Sequence, residues 1–154
     1  MSVNLYIIRH GKIITEEKNR SEYLHLSNEG NAFTVFLDKY FKDIYFDQIF
    51  YQSKDIKTSD PYNRCRQTIR GMKGVKNEYD KTQISRIFEE LNNVESDVRN
   101  VLICFKPDAF NVINNIINAQ SDEEFNKDYH RVFHYTFNSN NYSFVSKFTA
   151  EEQI

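Results

Sequence analysis

The feature that most constrains this chain is its opening, Asn4-Leu5-Tyr6-Ile7-Ile8 running straight into Arg9-His10-Gly11. An uninterrupted run of β-prone, mostly apolar residues reads as a strand covered on both faces, as in an α/β sheet. Such sheets place their ligand sites just beyond the carboxyl ends of the strands. There the run delivers a cation, an imidazole and a glycine that lets the chain turn sharply. His10 is therefore the candidate nucleophile or acid/base group, and Arg9 the candidate anchor for an anion. Standing alone, a strand-end His beside Gly is also an ordinary turn, so the rest of the chain has to supply matching parts.

A second continuous apolar run, Asn100-Val101-Leu102-Ile103-Cys104-Phe105, reads as another buried strand, and Lys106-Pro107-Asp108 turns it into a helix carrying Phe110, Val112, Ile113, Ile116 and Ile117. Ser27 is an N-cap for a helix whose apolar positions include Ala32, Val35, Phe36 and Leu37. Strands are expected over 47–53 and over 142–148, where polar and apolar residues alternate, and a short one over Thr82 to Ile87. Asp60 and Pro61 read as the start of a second helix, and Ser121 to Glu124 as a capping box. Strands alternating with helices in one domain, residues 1–154, give a three-layer α/β/α sandwich with a mostly parallel central sheet.

Composition narrows the partners. A net charge of −2 leaves no electrostatic footprint for nucleic acid, so an anionic ligand has to be met by a local cluster of cations. No apolar run reaches the roughly 18 residues of a membrane span, and no basic-then-apolar leader opens the chain. The expectation is a cytoplasmic protein without a membrane partner. Cys65 and Cys104 lack metal-ligand spacing and are expected to be reduced thiols. The four histidines show no ligand spacing either, so no metal and no cofactor is expected.

The second helix ties these parts together. Ser59-Asp60-Pro61-Tyr62-Asn63-Arg64-Cys65-Arg66-Gln67-Thr68 resembles the "S-x-P-L-x-R-A-x-Q-T" segment of the histidine phosphatase superfamily, the phosphoglycerate-mutase-like proteins. Leu26-Ser27-Asn28-Glu29-Gly30 resembles that family's "L-T-x-x-G" helix start, and 46–50 its second strand. Residues 101–105 resemble its "V-L-I-V-S" strand, and Asn141-Tyr142-Ser143 its "N-x-S" opening of the last strand.

The resemblance implies a chemistry. His10 would attack a phosphoryl group to form a phosphohistidine that water hydrolyses. Gly11 would orient the ring through its carbonyl, and Arg9 and Arg64 would grip phosphoryl oxygens. Glu89, in Arg86-Ile87-Phe88-Glu89, falls where the family's "R-L-x-E" acid lies, with Glu90 as the alternative. Where the family carries "S-H-G" after its 101–105 strand, this chain has Phe105-Lys106-Pro107. Lys106 can bind phosphate, but as a flexible point charge rather than a planar donor. Two functions follow: a slow phosphatase acting on a phosphorylated small molecule or phosphoprotein, or a pseudophosphatase that binds such a ligand without turning it over.

Overall fold

The computed structural model describes residues 3–13, 26–53, 63–92, 100–117, 128–138 and 141–149. Six strands form one sheet in the order β3-β2-β4-β1-β5-β6. They are β1 (Val3–Arg9), β2 (Phe46–Gln52), β3 (Gly74–Tyr79), β4 (Asn100–Phe105), β5 (Arg131–Asn138) and β6 (Asn141–Thr149). The β1–β4, β4–β2 and β2–β3 pairs are parallel, while β5 runs antiparallel between β1 and β6.

The apolar runs of β1 and β4 are continuous because both faces of the sheet are covered. Successive strand residues point to opposite faces. Leu5, Ile7, Val101, Ile103 and Phe105 therefore pack into one core, and Tyr6, Ile8, Leu102 and Cys104 into the other. Helices α3 (Ile84–Asn92) and α4 (Phe110–Ile117) close the first core through Ile84, Phe88, Ile113 and Ile117. Helices α1 (Asn28–Tyr40) and α2 (Arg64–Thr68) close the second through Phe33, Leu37 and Cys65. This is the expected three-layer sandwich with a mostly parallel sheet. The chain steps outward from β1 to β2 to β3, then returns through α3 to insert β4 between β1 and β2. That reversal brings the carboxyl ends of β1, β2 and β4 together, which is where such sheets bind ligands.

Several local expectations are corrected. Thr82 to Ile87 is not a strand: β3 has already ended at Tyr79, and a 3₁₀ turn over Lys81–Gln83 leads directly into α3. The cause is a capping box, in which Asp80 accepts from the turn's backbone while Gln83 Oε1 accepts from Asp80 N at 3.1 Å. Helix α2 runs from Arg64 with Asn63 as its cap; the expected start at Asp60 and Pro61, like the expected capping box at 121–124, lies outside the described residues. No helix among the described residues is long and apolar enough to cross a membrane.

Candidate functional site

His10 sits at the end of β1, tied to β4 by a hydrogen bond from its backbone N to Phe105 O (3.2 Å). Its ring is fully buried, and Nδ1 lies 2.7 Å from Gly11 O. A carbonyl only accepts, so Nδ1 carries the proton and Nε2 keeps its lone pair. Nε2 is buried with no hydrogen-bond partner among the described residues. Burial lowers the ring's pKa to about 3, an effect that the Gly11 carbonyl opposes and that Arg64, Arg9 and Lys106 reinforce. The imidazole is neutral, oriented and flanked by three cations.

The Arg64–Thr68 helix holds this arrangement in place. Gly11 N donates to Thr68 Oγ1 (2.8 Å), and that hydroxyl donates to Arg64 O (2.7 Å). Gln67 Oε1 accepts from Leu26 N (3.2 Å). Arg64 lines the cavity described below, whereas Arg66 and Arg70 are exposed. Asn63 caps the helix by accepting from Arg66 N (2.9 Å) and donates to Gln52 O at the end of β2 (2.9 Å).

Gly30 lets α1 approach the loop after His10. Ser27 Oγ accepts from Gly30 N at 3.2 Å, and Ser27 N donates to Lys12 O at 2.8 Å. A Cβ on Gly30 would stand 2.3 Å from Lys12 O, a backbone atom with nowhere to go. Gly30→Ala is therefore expected to destabilise the fold by roughly 1–3 kcal/mol, the usual range for overpacking, read as a lower denaturation midpoint. An unchanged midpoint would show that the loop shifts freely.

Beyond β2 and β4 lies a cavity of about 660 Å³ whose lining includes Ser53, Arg64, Asp80, Lys106, Pro107 and Asp108. Gln52 organises its floor. Its side chain is buried, with Oε1 accepting from Lys106 N (2.7 Å) and Nε2 donating to Asp108 Oδ1 (2.8 Å). One amide thus couples the ends of β2 and β4. Ser53 Oγ is buried in the lining without a partner among the described residues.

Of the residues singled out in the sequence, Gly11 O meets the His10 ring and Arg64, Arg9 and Lys106 act on it electrostatically, Arg64 and Lys106 also lining the cavity, while Glu89 points elsewhere. Ile84, Ile87, Phe88 and Leu91 give α3 a buried stripe at helical spacing, which turns Glu89 outward into solvent. Glu90 is exposed too, with its carboxylate 3.7 Å from Arg86. The carboxylates at the cavity are Asp80 and Asp108. Among the other histidines, His134 belongs to β5; it stacks on Tyr6 and bonds Asn4 Oδ1 at 2.9 Å. His130 is buried against Phe33, its Nε2 accepting from Lys12 N at 3.3 Å. His25 lies outside the described residues.

Gln52, Ser53, Asn63, Asp80 and Tyr129 escaped the sequence reading. Arg9 Nη2 donates to Tyr129 OH at 2.9 Å, and the guanidinium lies 3.8 Å from the ring centroid. Only Asn63 and Asp80 carried a visible signal, as cap residues before helical spacing. No group of three or more metal-binding side chains occurs among the described residues.

No protein-family model and no curated protein sequence matches the chain. Its structure is similar to that of the protein histidine phosphatase SixA complexed with tungstate, with a TM-score of 0.70 at 14% identity, covering 99% of this chain and 100% of that one. Phosphoserine phosphatase from Entamoeba histolytica in complex with 3-phosphoglyceric acid gives a TM-score of 0.66 at 11% identity, over 99% and 100% of the two chains. Phosphoglycerate mutase from Bacillus anthracis str. Sterne gives 0.62 at 14%, over 94% and 92%.

Proposed function

We propose, for a chain that has the phosphoglycerate-mutase-like fold of the histidine phosphatases, that it is a phosphatase working through a phosphohistidine on His10. One observation carries the reading: a buried, neutral imidazole whose Nε2 lone pair is unpartnered among the described residues stands beside Arg9, Arg64 and Lys106. Phosphoryl transfer needs little covalent help from a protein. It needs an aligned nucleophile and fixed positive charge around the phosphoryl oxygens.

In the first step Nε2 attacks phosphorus, the bond to the leaving oxygen breaks, and a carboxylic acid protonates that oxygen. In the second, water attacks phosphorus, the P–N bond breaks with its electron pair returning to Nε2, and the carboxylate takes the water's proton. Both carboxylates are hydrogen-bonded, Asp80 Oδ1 by Thr82 N and the Thr82 hydroxyl and Asp108 Oδ1 by Gln52 Nε2; we assign the acid role to Asp80 because Asp108 also faces Lys81 at 4.0 Å. Asp80→Asn is expected to slow hydrolysis of an alkyl phosphate by about 10²-fold or more, and of an aryl phosphate, whose leaving group needs no proton, much less. Glu89→Gln is expected to leave both rates within about twofold, as an exposed position should. The reverse pattern would return the acid role to Glu89.

The substrate is a phosphorylated small molecule or phosphoprotein. Lys106-Pro107, in place of the family's second histidine, favours a second reading in which a phosphorylated ligand binds without turnover. Labelling with a ³²P phosphoryl donor, followed by an alkaline quench that preserves phosphohistidine, separates the two. Label on the wild type that is absent from a His10 variant supports the covalent route. Turnover without label overturns it, and phosphate binding with neither label nor turnover establishes the pseudophosphatase.

A further inference from the structure

In the proposed site, Arg64 and Lys106 reach the phosphoryl group from the β2 and β4 side of β1. The strand order puts β5 on the opposite flank, and Tyr129 stands just before β5 begins. Its neighbour His130 fixes it there: His130 has φ 60°, a left-handed conformation in which His is enriched, and is buried against Phe33 and Lys12 N. Tyr129 also meets the edge of the His10 ring, with centroids 5.7 Å apart.

A guanidinium can only donate, so in the contact with Arg9 Nη2 the Tyr129 oxygen is the acceptor and its own proton remains available. No acceptor for that proton appears among the described residues. We infer that Tyr129 is a phosphoryl-binding residue, whose O–H donates to a non-bridging oxygen of the group gripped by Arg9. The inference rests on the phosphoryl-transfer reading above. It gives the site a donor on the flank that holds neither Arg64 nor Lys106. A neutral donor suits that place, since Arg9 already feels repulsion from Arg64. The nearby guanidinium polarises the hydroxyl, which strengthens its hydrogen bond as charge builds on the phosphoryl oxygens.

The test uses the full chain with orthovanadate and inorganic phosphate as probes. Tyr129→Phe keeps the ring on Arg9 and removes only the hydroxyl. Its expected effect is vanadate binding weakened by about tenfold, phosphate binding weakened less, and an unchanged melting temperature. If the variant melts earlier, the vanadate-to-phosphate affinity ratio decides, because a merely structural loss lowers both affinities together. Wild-type vanadate binding that is lost in Arg64→Ala but unaltered in Tyr129→Phe overturns the Tyr129 assignment alone. Tighter binding in Tyr129→Phe also overturns it, making the hydroxyl a competitor for Arg9. A wild type that binds neither probe removes the phosphoryl site and this assignment with it.

Discussion

His10→Asn is expected to abolish hydrolysis of an aryl phosphate, a loss of at least about 10³-fold relative to wild type, with the fold retained. Asparagine suits the test better than alanine. Its amide can still donate to Gly11 O, as Nδ1 does at 2.7 Å, but it offers no nucleophile where Nε2 stands. Alanine would also leave a void in a fully buried position, mixing lost chemistry with lost packing. The same pair of proteins tests the ring's charge state. The folded ring has a pKa of about 3, against an ordinary value of about 6.5 in the unfolded chain. Between those values the unfolded state binds more protons, so this group makes stability rise with pH from about 3 to about 6.5. Its contribution is fully present above about 6.5 and is lost as the solution is acidified towards 3. Denaturant midpoints across that window should therefore slope less in His10→Asn than in wild type. Activity should likewise show no acid limb near pH 6.5 arising from His10. Equal slopes in the two proteins would show that the ring is not held neutral by the fold.

Where the sequence was legible, one physical constraint acted locally. β1 and β4 are buried on both faces, so their apolar runs stand out, and the Arg-His-Gly that ends β1 carries its chemistry on the surface of the text. Ser27 and the Arg64–Thr68 segment were readable for the same reason, since a cap and a helix turn are short-range devices. The edge strand β3 escaped because Val75, Lys76 and their neighbours are largely exposed, which leaves no alternation to see. With β3 unread, the next strand falls on Thr82 to Ile87, whereas the assignment of Glu89 rests on the resemblance to the family's "R-L-x-E" pattern and not on that strand. The stripe of Ile84, Ile87, Phe88 and Leu91 held the correction all along, as did the Asp80-to-Gln83 capping spacing. Gln52 and Tyr129 are of another kind. Gln52 matters because β4 lies beside β2, and Tyr129 because β5 lies beside β1, 120 positions from Arg9. No local pattern encodes such a contact.

The position after β4 offers the second large effect. Lys106 has extended backbone, φ −101° and ψ 156°, as a residue preceding proline should, and its N–H is held by Gln52. A side-chain change there leaves the backbone anchored. Lys106→His with Pro107→Gly introduces the His-Gly pair of the histidine phosphatases that the sequence resembles, replacing a flexible ammonium by a planar donor with fewer rotamers to freeze. One preorganised donor is typically worth about 10²–10³ in rate. If Tyr129 already supplies a donor from the β5 flank, the gain in the wild-type background should be smaller, about tenfold in kcat with little change in KM. In a Tyr129→Phe background the same replacement should recover closer to about 10²-fold, because the histidine then fills a role left empty. Kinetics of the four proteins form a double-mutant cycle whose coupling term measures that overlap. Equal gains in both backgrounds would show that the two flanks act independently. No gain in either would mean that Lys106 already neutralises the developing charge, and that the rate is set by attack of His10 or by protonation of the leaving oxygen.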